Sequence, residues 1–250
     1  MRIDLNCDLG ETVDGQPTAD DAAMFPLITS ANVACGFHAG DAATMQVSCE
    51  RAVQHVVAVG AHVSYADREN FGRTDLEVDD GVLEAQIREQ LEALAEAAEA
   101  AGTRVRYVKP HGALYNRIAR DRDRADVVAA AVSGFDPALP LMGLPGSHVA
   151  DAAAAAGLRF LREAFVDRNY LADGSLVPRS RPDALLAGGS VALRAVRIVT
   201  DGAVTAVDGT LLRLEVDSLC VHGDSPGAVE MARAVRRELD AAGVSVEARA

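Results

Sequence analysis

The chain has 250 residues, 49% of them hydrophobic, and a formal net charge of −13. That length buries a large core and suits one α/β barrel domain. The acidity argues against a nucleic-acid or anionic-membrane surface, which needs clustered Lys and Arg, and favours a small-molecule or protein partner. The first residues, MRIDLNCDLG, open directly on a strand pattern without a signal-peptide apolar region, and no apolar run is long enough to span a bilayer. Cys7, Cys35, Cys49 and Cys220 form no C-x-x-C pair. Buried free thiols in a reducing compartment are expected, so the cytoplasm is the expected location.

Seven β-rich runs occur along the chain: RIDLNCD, TSANVACGF, VAVGAHVSY, RVRYVKPHG, LPLMGLPG, LRFLREAFVD and DSLCVHGD. Ala/Leu/Glu-rich segments separate them. In DDGVLEAQIREQLEALAEAAEAAG, the residues Leu83, Ile87, Leu91, Leu94 and Ala98 make one apolar stripe at helical spacing. Asp79 and Asp80 supply acid at its start, and Gly102 sits where a C-terminal stop belongs. Between strands six and seven, Asp208-Gly209 within VTAVDGTLLRL reads as a β-hairpin turn. The last helix begins with Ser225 as N-cap and Pro226 at the first helical position, and repeats the stripe with Val229, Ala232, Val235 and Leu239. Strands alternating with helices of this length imply a parallel sheet. Almost every strand ends in polar residues, which favours a closed barrel over an open sheet with a single switch point. The expectation is a single-domain (β/α) barrel over residues 1–250, with about seven parallel strands and a small β-hairpin excursion.

In such a barrel the strand ends of one sense meet around one cavity. Strand one brings Asn6, Asp8 and Glu11; strand two His38 and Asp41; strand three His62, Tyr65, Asp67 and Arg68. Strand four brings Lys109 and His111, strand six Glu163, Asp167 and Arg168, and strand seven His222 and Asp224. Four of the six histidines, His38, His62, His111 and His222, sit at such ends. Each alone reads more often as a hydrogen-bonded structural residue than as a catalyst, and it is their coincidence at strand ends of one sense that points to function. His55 reads as helix packing or surface, and His148 as cavity rim or helix start. Lys109 precedes Pro110 and points to the barrel mouth. There it either neutralises an oxyanion or phosphate, or pairs with Asp8, Glu163 or Asp224. A metal is the main rival for the histidine and aspartate set, with Asp8, His38 and His62 as candidate ligands. Neither a GxxxxGK[ST] loop nor a GxGxxG fingerprint is present.

Six ordered blocks, DLNCDLGE, TSANVACGFHAGD, GAHVSYADRENFGR, VKPHGALYN, FVDRNYLADGSLVPRS and CVHGD, resemble the signature blocks of the LamB/YcsF family. The resemblance runs to about Asp224 and covers nearly the whole chain. It implies a seven-stranded, deacetylase-like variant of the (β/α) barrel. It also implies ATP-dependent opening of the 5-oxoproline lactam to L-glutamate, with Mg²⁺ expected alongside ATP and with two partners, the B and C subunits of a 5-oxoprolinase. Alternatives are a metal-dependent amidase or deacetylase acting on a small amide, and a non-catalytic binding protein within a complex. The blocks map onto catalytic candidates Asp8, His38, His62, Lys109, His111 and His222. They also map onto Asn6, Glu11, Asn32, Asp41, Asp67, Arg73, Tyr115, Asn116, Arg168 and Asp224 as substrate- or phosphate-binding candidates, and onto Asp167. The chain departs from the family pattern at Val63, Ala66 and Thr74, and at Thr12 and Val13 after Glu11. These positions belong to loops over the expected mouth.

Overall fold

The computed structural model describes residues 1–186, 190–225 and 227–250. Seven strands make the frame: β1 Arg2–Leu9, β2 Ser30–Ala34, β3 Ala58–His62, β4 Val105–Val108, β5 Leu141–Gly143, β6 Phe160–Phe165 and β7 Ser218–Cys220. They pair in parallel in chain order. Strand β7 then returns to β1, with Asp4 opposite Ser218 and Asn6 opposite Cys220. That last pairing closes the sheet and leaves no free edge between first and last strand. The thinnest seam lies between β4 and β5, where Val108 and Leu141 make the register pair.

A helix returns the chain after each strand from β2 onward. Helix α1, Ala42–His55, follows β2, and α2, Asp80–Ala100, follows β3. Helices α3, Gly112–Arg120, and α4, Arg122–Phe135, follow β4. Helix α5, His148–Ala155, follows β5; α6, Ser190–Asp201, follows β6; and α7, Ala228–Ala241, follows β7. The expected stripe of α2 is the buried one: Leu83, Ile87, Leu91, Leu94 and Ala98 are fully covered. Each such leucine or isoleucine contributes roughly 1.5–3 kcal/mol by leaving water. Asp79 caps α2, accepting from the Gly81 and Val82 amides, and Gly102 beyond its end takes φ +79°. The hairpin excursion is present as Ala203–Thr205 paired antiparallel with Leu211–Arg213.

The start of α7 differs from the sequence reading. Gly227, with φ +76°, holds the N-cap position rather than Ser225, and the helix begins at Ala228. A left-handed φ is open to glycine at low cost, so the chain turns later than the Ser-Pro signal suggests. Pro226 lies outside the described residues. Two short pairings escaped the sequence reading. Thr12–Val13 pairs with Gln16–Pro17, and an eighth strand, β8 Ser245–Val246, lies beside Arg2 and Ile3 of β1. All four cysteines are free and buried, as expected.

The barrel interior is polar. Along β1, Ile3, Leu5, Cys7 and Leu9 join the main apolar core, while Asp4, Asn6 and Asp8 bond across the lumen. Alternation at period two separates the two sets. An apolar strand interior would fill the lumen with branched side chains; here hydrogen bonds fill it instead.

Candidate active site

The lumen holds a chain of directed hydrogen bonds that ends at Asp8. Ser218 donates to Asp4, and Asn6 Nδ2 donates to Ser218 Oγ at 2.7 Å. Asn32 Nδ2 donates to Asn6 Oδ1 at 2.8 Å and to Asp8 Oδ1 at 2.7 Å. The Tyr107 hydroxyl donates to Asn32 Oδ1 at 2.5 Å, which leaves the amide no rotational freedom. Tyr107 crosses the lumen over Gly60, where an added Cβ would lie 2.2 Å from its ring. Glycine is needed at that position for space, since its φ is ordinary.

Lys109 sits at the top of this chain, fully buried. Its Nζ is 2.9 Å from Asp8 Oδ1, 2.8 Å from Glu163 Oε1 and 3.2 Å from Asn6 Oδ1. Of the open alternatives, the ion pairs with Asp8 and Glu163 are the ones present. Asp224 pairs elsewhere, with Arg73 at 3.0 Å and Arg179 at 3.6 Å. Burial pushes the Asp8 carboxyl up, but His62 and Lys109 together outweigh it and hold Asp8 well below the usual carboxylate range. Asp8 is therefore a fixed negative charge and a weak base.

Two histidine groups flank Asp8. On one side, His62 Nε2 is 3.4 Å from Asp8 Oδ2 and 3.0 Å from His111 Nδ1. Oε1 of Glu11 lies 3.2 Å from His38 Nε2 and 3.5 Å from His111 Nδ1. Burial raises the Glu11 carboxyl. Burial lowers His38 and His111, and neighbouring imidazoles push the same way, so both rings stay neutral near pH 7. Burial would lower His62 too, but the Asp8 carboxylate raises it above the usual histidine value. On the other side, His222 Nδ1 lies 2.9 Å from Asp167 Oδ2, and its ring stacks on Phe165 with centroids 5.4 Å apart. Asp167 is buried, yet His222 holds its carboxyl below the usual value. This pair fixes the imidazole and directs its other nitrogen away from Asp167. Ligand atoms of Asp8, Cys220 and His222 all lie within 4.8 Å of one another.

These groups open onto a cavity of about 810 Å³, lined in part by Asp8, Glu11, His62, Lys109, His111 and His222. Arg73, Tyr115, Asn116, Arg168 and Asp224 also line it. His38 lies behind His111, stacked on it with centroids 3.8 Å apart. Asn6 and Asn32 lie below, in the lumen chain. Asp41 and Asp67 are away from the cavity wall and organise turns. Asp41 closes a capping box with Thr44 at the start of α1, and Asp67 accepts from the Asn70 side chain and the Thr74 amide. Arg168 is committed to backbone, donating to Val177 O at 2.6 Å and Ala184 O at 3.4 Å, and burial lowers it to about 10. His148 and His55 are exposed and apart from the site.

Sequence reasoning gave no role to Tyr107, Ser64 or Gln90. Tyr107 carried a signal: it stands two residues before Lys109 and so shares its inward face. Ser64 and Gln90 carried none. Gln90, buried on α2, accepts from the Ser64 amide at 2.9 Å and donates to the Ser64 carbonyl at 2.9 Å, which sets the loop that holds His38.

The architecture defines a closed α/β barrel with an acid–base and imidazole cluster at the carboxyl ends of its strands. The LamB/YcsF family profile matches residues 3–250, and the chain belongs to that family. It is 52% identical over 247 residues to the A subunit of 5-oxoprolinase from Paracidovorax citrulli, covering 98% of each chain. It is 49% identical over 248 residues to the A subunit of 5-oxoprolinase from Nocardia farcinica, covering 99% of each. Among solved structures it is similar to a lactam utilization protein from Thermus thermophilus. That match has 43% identity and a TM-score of 0.93 over 99% of this chain and 100% of the other. No helix among the described residues is long and apolar enough to cross a membrane.

Proposed function

We propose that this chain is the A subunit of an ATP-dependent 5-oxoprolinase, and that it opens the lactam of 5-oxo-L-proline to L-glutamate together with the B and C subunits. The observation that carries the reading is the His222–Asp167 pair, anchored at 2.9 Å and facing Asp8 across one cavity. The names of the relatives support the substrate and the multi-subunit setting.

A lactam resists water because its nitrogen donates into the carbonyl. ATP with Mg²⁺ supplies the missing activation by phosphorylating the carbonyl oxygen. The chain lacks a phosphate-binding GxxxxGK[ST] loop. Its own fit to anions rests on guanidinium groups at the cavity wall, among them Arg73, Arg120 and Arg179. Arg73 and Arg179 share the Asp224 carboxylate and keep further N–H donors for a substrate carboxylate. Their position orients the ring with its carbonyl toward Asp8 and His222.

His222 then removes a proton from water as the water oxygen bonds to the carbonyl carbon. The ring C–N bond would break, the departing nitrogen taking the proton back from His222, and the γ-glutamyl phosphate so formed would be cleaved by a second water to L-glutamate and inorganic phosphate. Asp167 holds the imidazole in place and stabilises its charged form. Asp8, too acidic to act as base, orients the water and balances the cationic imidazole. Lys109 acts through Asp8 as a positioning residue. The Tyr115 hydroxyl is buried against the Glu163 carboxylate, and both keep it protonated. Four buried thiols suit a reducing compartment, and we place the protein in the cytoplasm.

The test is glutamate release from 5-oxoproline by the three purified proteins with ATP and Mg²⁺, omitting each component in turn. Release should require all of them. A full rate without this chain rejects the reading, and turnover by this chain alone without ATP points to a simple amidase instead.

A further inference from the structure

His62 donates from Nδ1 to the Lys109 carbonyl oxygen at 2.9 Å, and His111 donates from Nε2 to the Phe71 carbonyl oxygen at 2.9 Å. A carbonyl oxygen only accepts, so each neutral ring carries its proton on that side. The other nitrogens, His62 Nε2 and His111 Nδ1, therefore present lone pairs. They face one another at 3.0 Å. Oε1 of Glu11 is 3.9 Å from the first and 3.5 Å from the second. Asp8 Oδ2 adds a further electron-rich atom 3.4 Å from His62 Nε2. With the rings neutral, atoms this close repel unless a positive centre, a proton on His62 or a metal ion, lies among them. One proton bridges only one of these gaps. With metal–ligand bonds of about 2.0–2.1 Å, the edge of a tetrahedral site is roughly 3.4 Å. Separations of 3.0, 3.5 and 3.9 Å straddle that edge.

We propose that Glu11, His62 and His111 bind one divalent cation of the zinc type, with the fourth position open to the cavity that all three groups line. Two imidazoles and a carboxylate are the donor set that zinc and other first-row ions take, and an open position is the mark of a reactive rather than a structural site. The backbone carbonyls behind His62 and His111 fix ring orientation, as such outer partners do at metal centres. His38 is a positioning residue. Its ring lies 7° from parallel to His111, so its in-plane lone pair runs alongside that of His111 and cannot converge on the same ion. Its Nε2, 3.2 Å from Glu11 Oε1, holds the carboxylate, and Ser64 Oγ anchors its Nδ1 at 2.9 Å. Of the Asp8, His38 and His62 trio suggested by sequence this set keeps His62, because the ligand atoms of Glu11, His38, His62 and His111 lie within 4.8 Å of one another as a group that leaves Asp8 out. The inference stands on these side chains and does not depend on which amide the cavity takes.

The test uses full-length protein stripped with a chelator. It is titrated with Zn²⁺ by calorimetry and with Co²⁺ followed by visible absorption. One ion should bind per chain, and Co²⁺ should show the intense bands of four- or five-coordination. Glu11→Gln and His111→Ala should each weaken binding by ~100-fold or more, and His38→Ala by ~10-fold. His55→Ala and His148→Ala, both at exposed positions, should leave binding unchanged. Circular dichroism checks folding, and His111→Gln replaces any alanine variant that does not fold. The proposal is overturned if no ion binds at one per chain, if Co²⁺ keeps its aqueous spectrum, or if Glu11→Gln binds as tightly as wild type. Lactam opening at full rate by protein shown to be metal-free would also overturn it while leaving the 5-oxoprolinase reading intact.

Discussion

Lys109 is a cation buried away from water, held between Asp8 at 2.9 Å and Glu163 at 2.8 Å. Replacing it with Met removes one positive charge and strands two buried carboxylates. Breaking a buried pair from one side costs about 3–5 kcal/mol. Lys109→Met should therefore lower the unfolding free energy measured in urea by that much, and a value within about 1 kcal/mol of wild type would show that the carboxylates do not need it. Asp167 calls for a different measurement, since its task is to hold His222. Asp167→Asn keeps the shape but weakens the hold on a charged imidazole. In the assembled enzyme it should lower kcat by about 10²–10⁴-fold, with KM for oxoproline within about threefold. A loss confined to KM would make Asp167 a substrate-binding group. The chemistry of these residues was legible from their places at strand ends. Their partners were not: Lys109 had three carboxylates open to it by sequence, and only side-chain reach within the folded barrel selects two.

At the scale of the element, local rules account for most of what is seen. The α2 stripe, its Asp79 cap and its Gly102 stop all follow from spacing and side-chain type. The loop after β1 is less obvious. Its Gly10, at φ +70°, donates its amide to Asp21 Oδ2 at 2.9 Å, from the one-turn helix Asp21–Met24. Burial raises the Asp21 carboxyl to about 6 despite that bond. The folded state thus holds its proton more tightly than the unfolded chain does. Between the ordinary value near 3.8 and about 6, stability rises as pH falls, and above about 6 the charged form is a standing cost. Asp21→Asn keeps an oxygen acceptor and removes the charge. It should stabilise the protein by about 1–2 kcal/mol at pH 7.5, allowing for partial solvent screening, and by little at pH 4. Equal stabilisation at both pH values would show that the carboxyl is not the cause. The late start of α7 at Gly227 shows where local rules yield, since the Ser-Pro signal is overridden by a left-handed turn there.

Across the whole molecule, closure depends on a carboxylate at the lower end of the lumen. Asp4 of β1 accepts from Thr29 at 2.6 Å, from Ser30 of β2 at 2.7 Å, and from Ser218 of β7. One side chain thus ties the first strand to both its neighbours. Asp4→Ala would leave the Thr29, Ser30 and Ser218 hydroxyls without this acceptor, and an unsatisfied buried polar group costs about 1–3 kcal/mol. A loss of at least about 3 kcal/mol in equilibrium unfolding is expected. Activity should stay normal in the fraction that remains folded, since Asp4 is not among the residues lining the cavity. Wild-type stability would mean that the seam between β1 and β7 holds without it.

By itself the sequence determined the seven barrel strands and their order, the apolar stripes of α2 and α7, the hairpin before the last strand, and which acids, imidazoles and cations stand at the strand ends. All of these are written in short-range periodicity and turn chemistry, which act between residues close along the chain. Closure of the barrel belongs to tertiary structure, as do the pairing of Asn6 with Ser218, 212 residues apart, and the commitment of His222 to Asp167. The facing lone pairs of His62 and His111 belong there too. Those relations depend on strand register and on ångström-scale separations through space, and residue spacing carries neither.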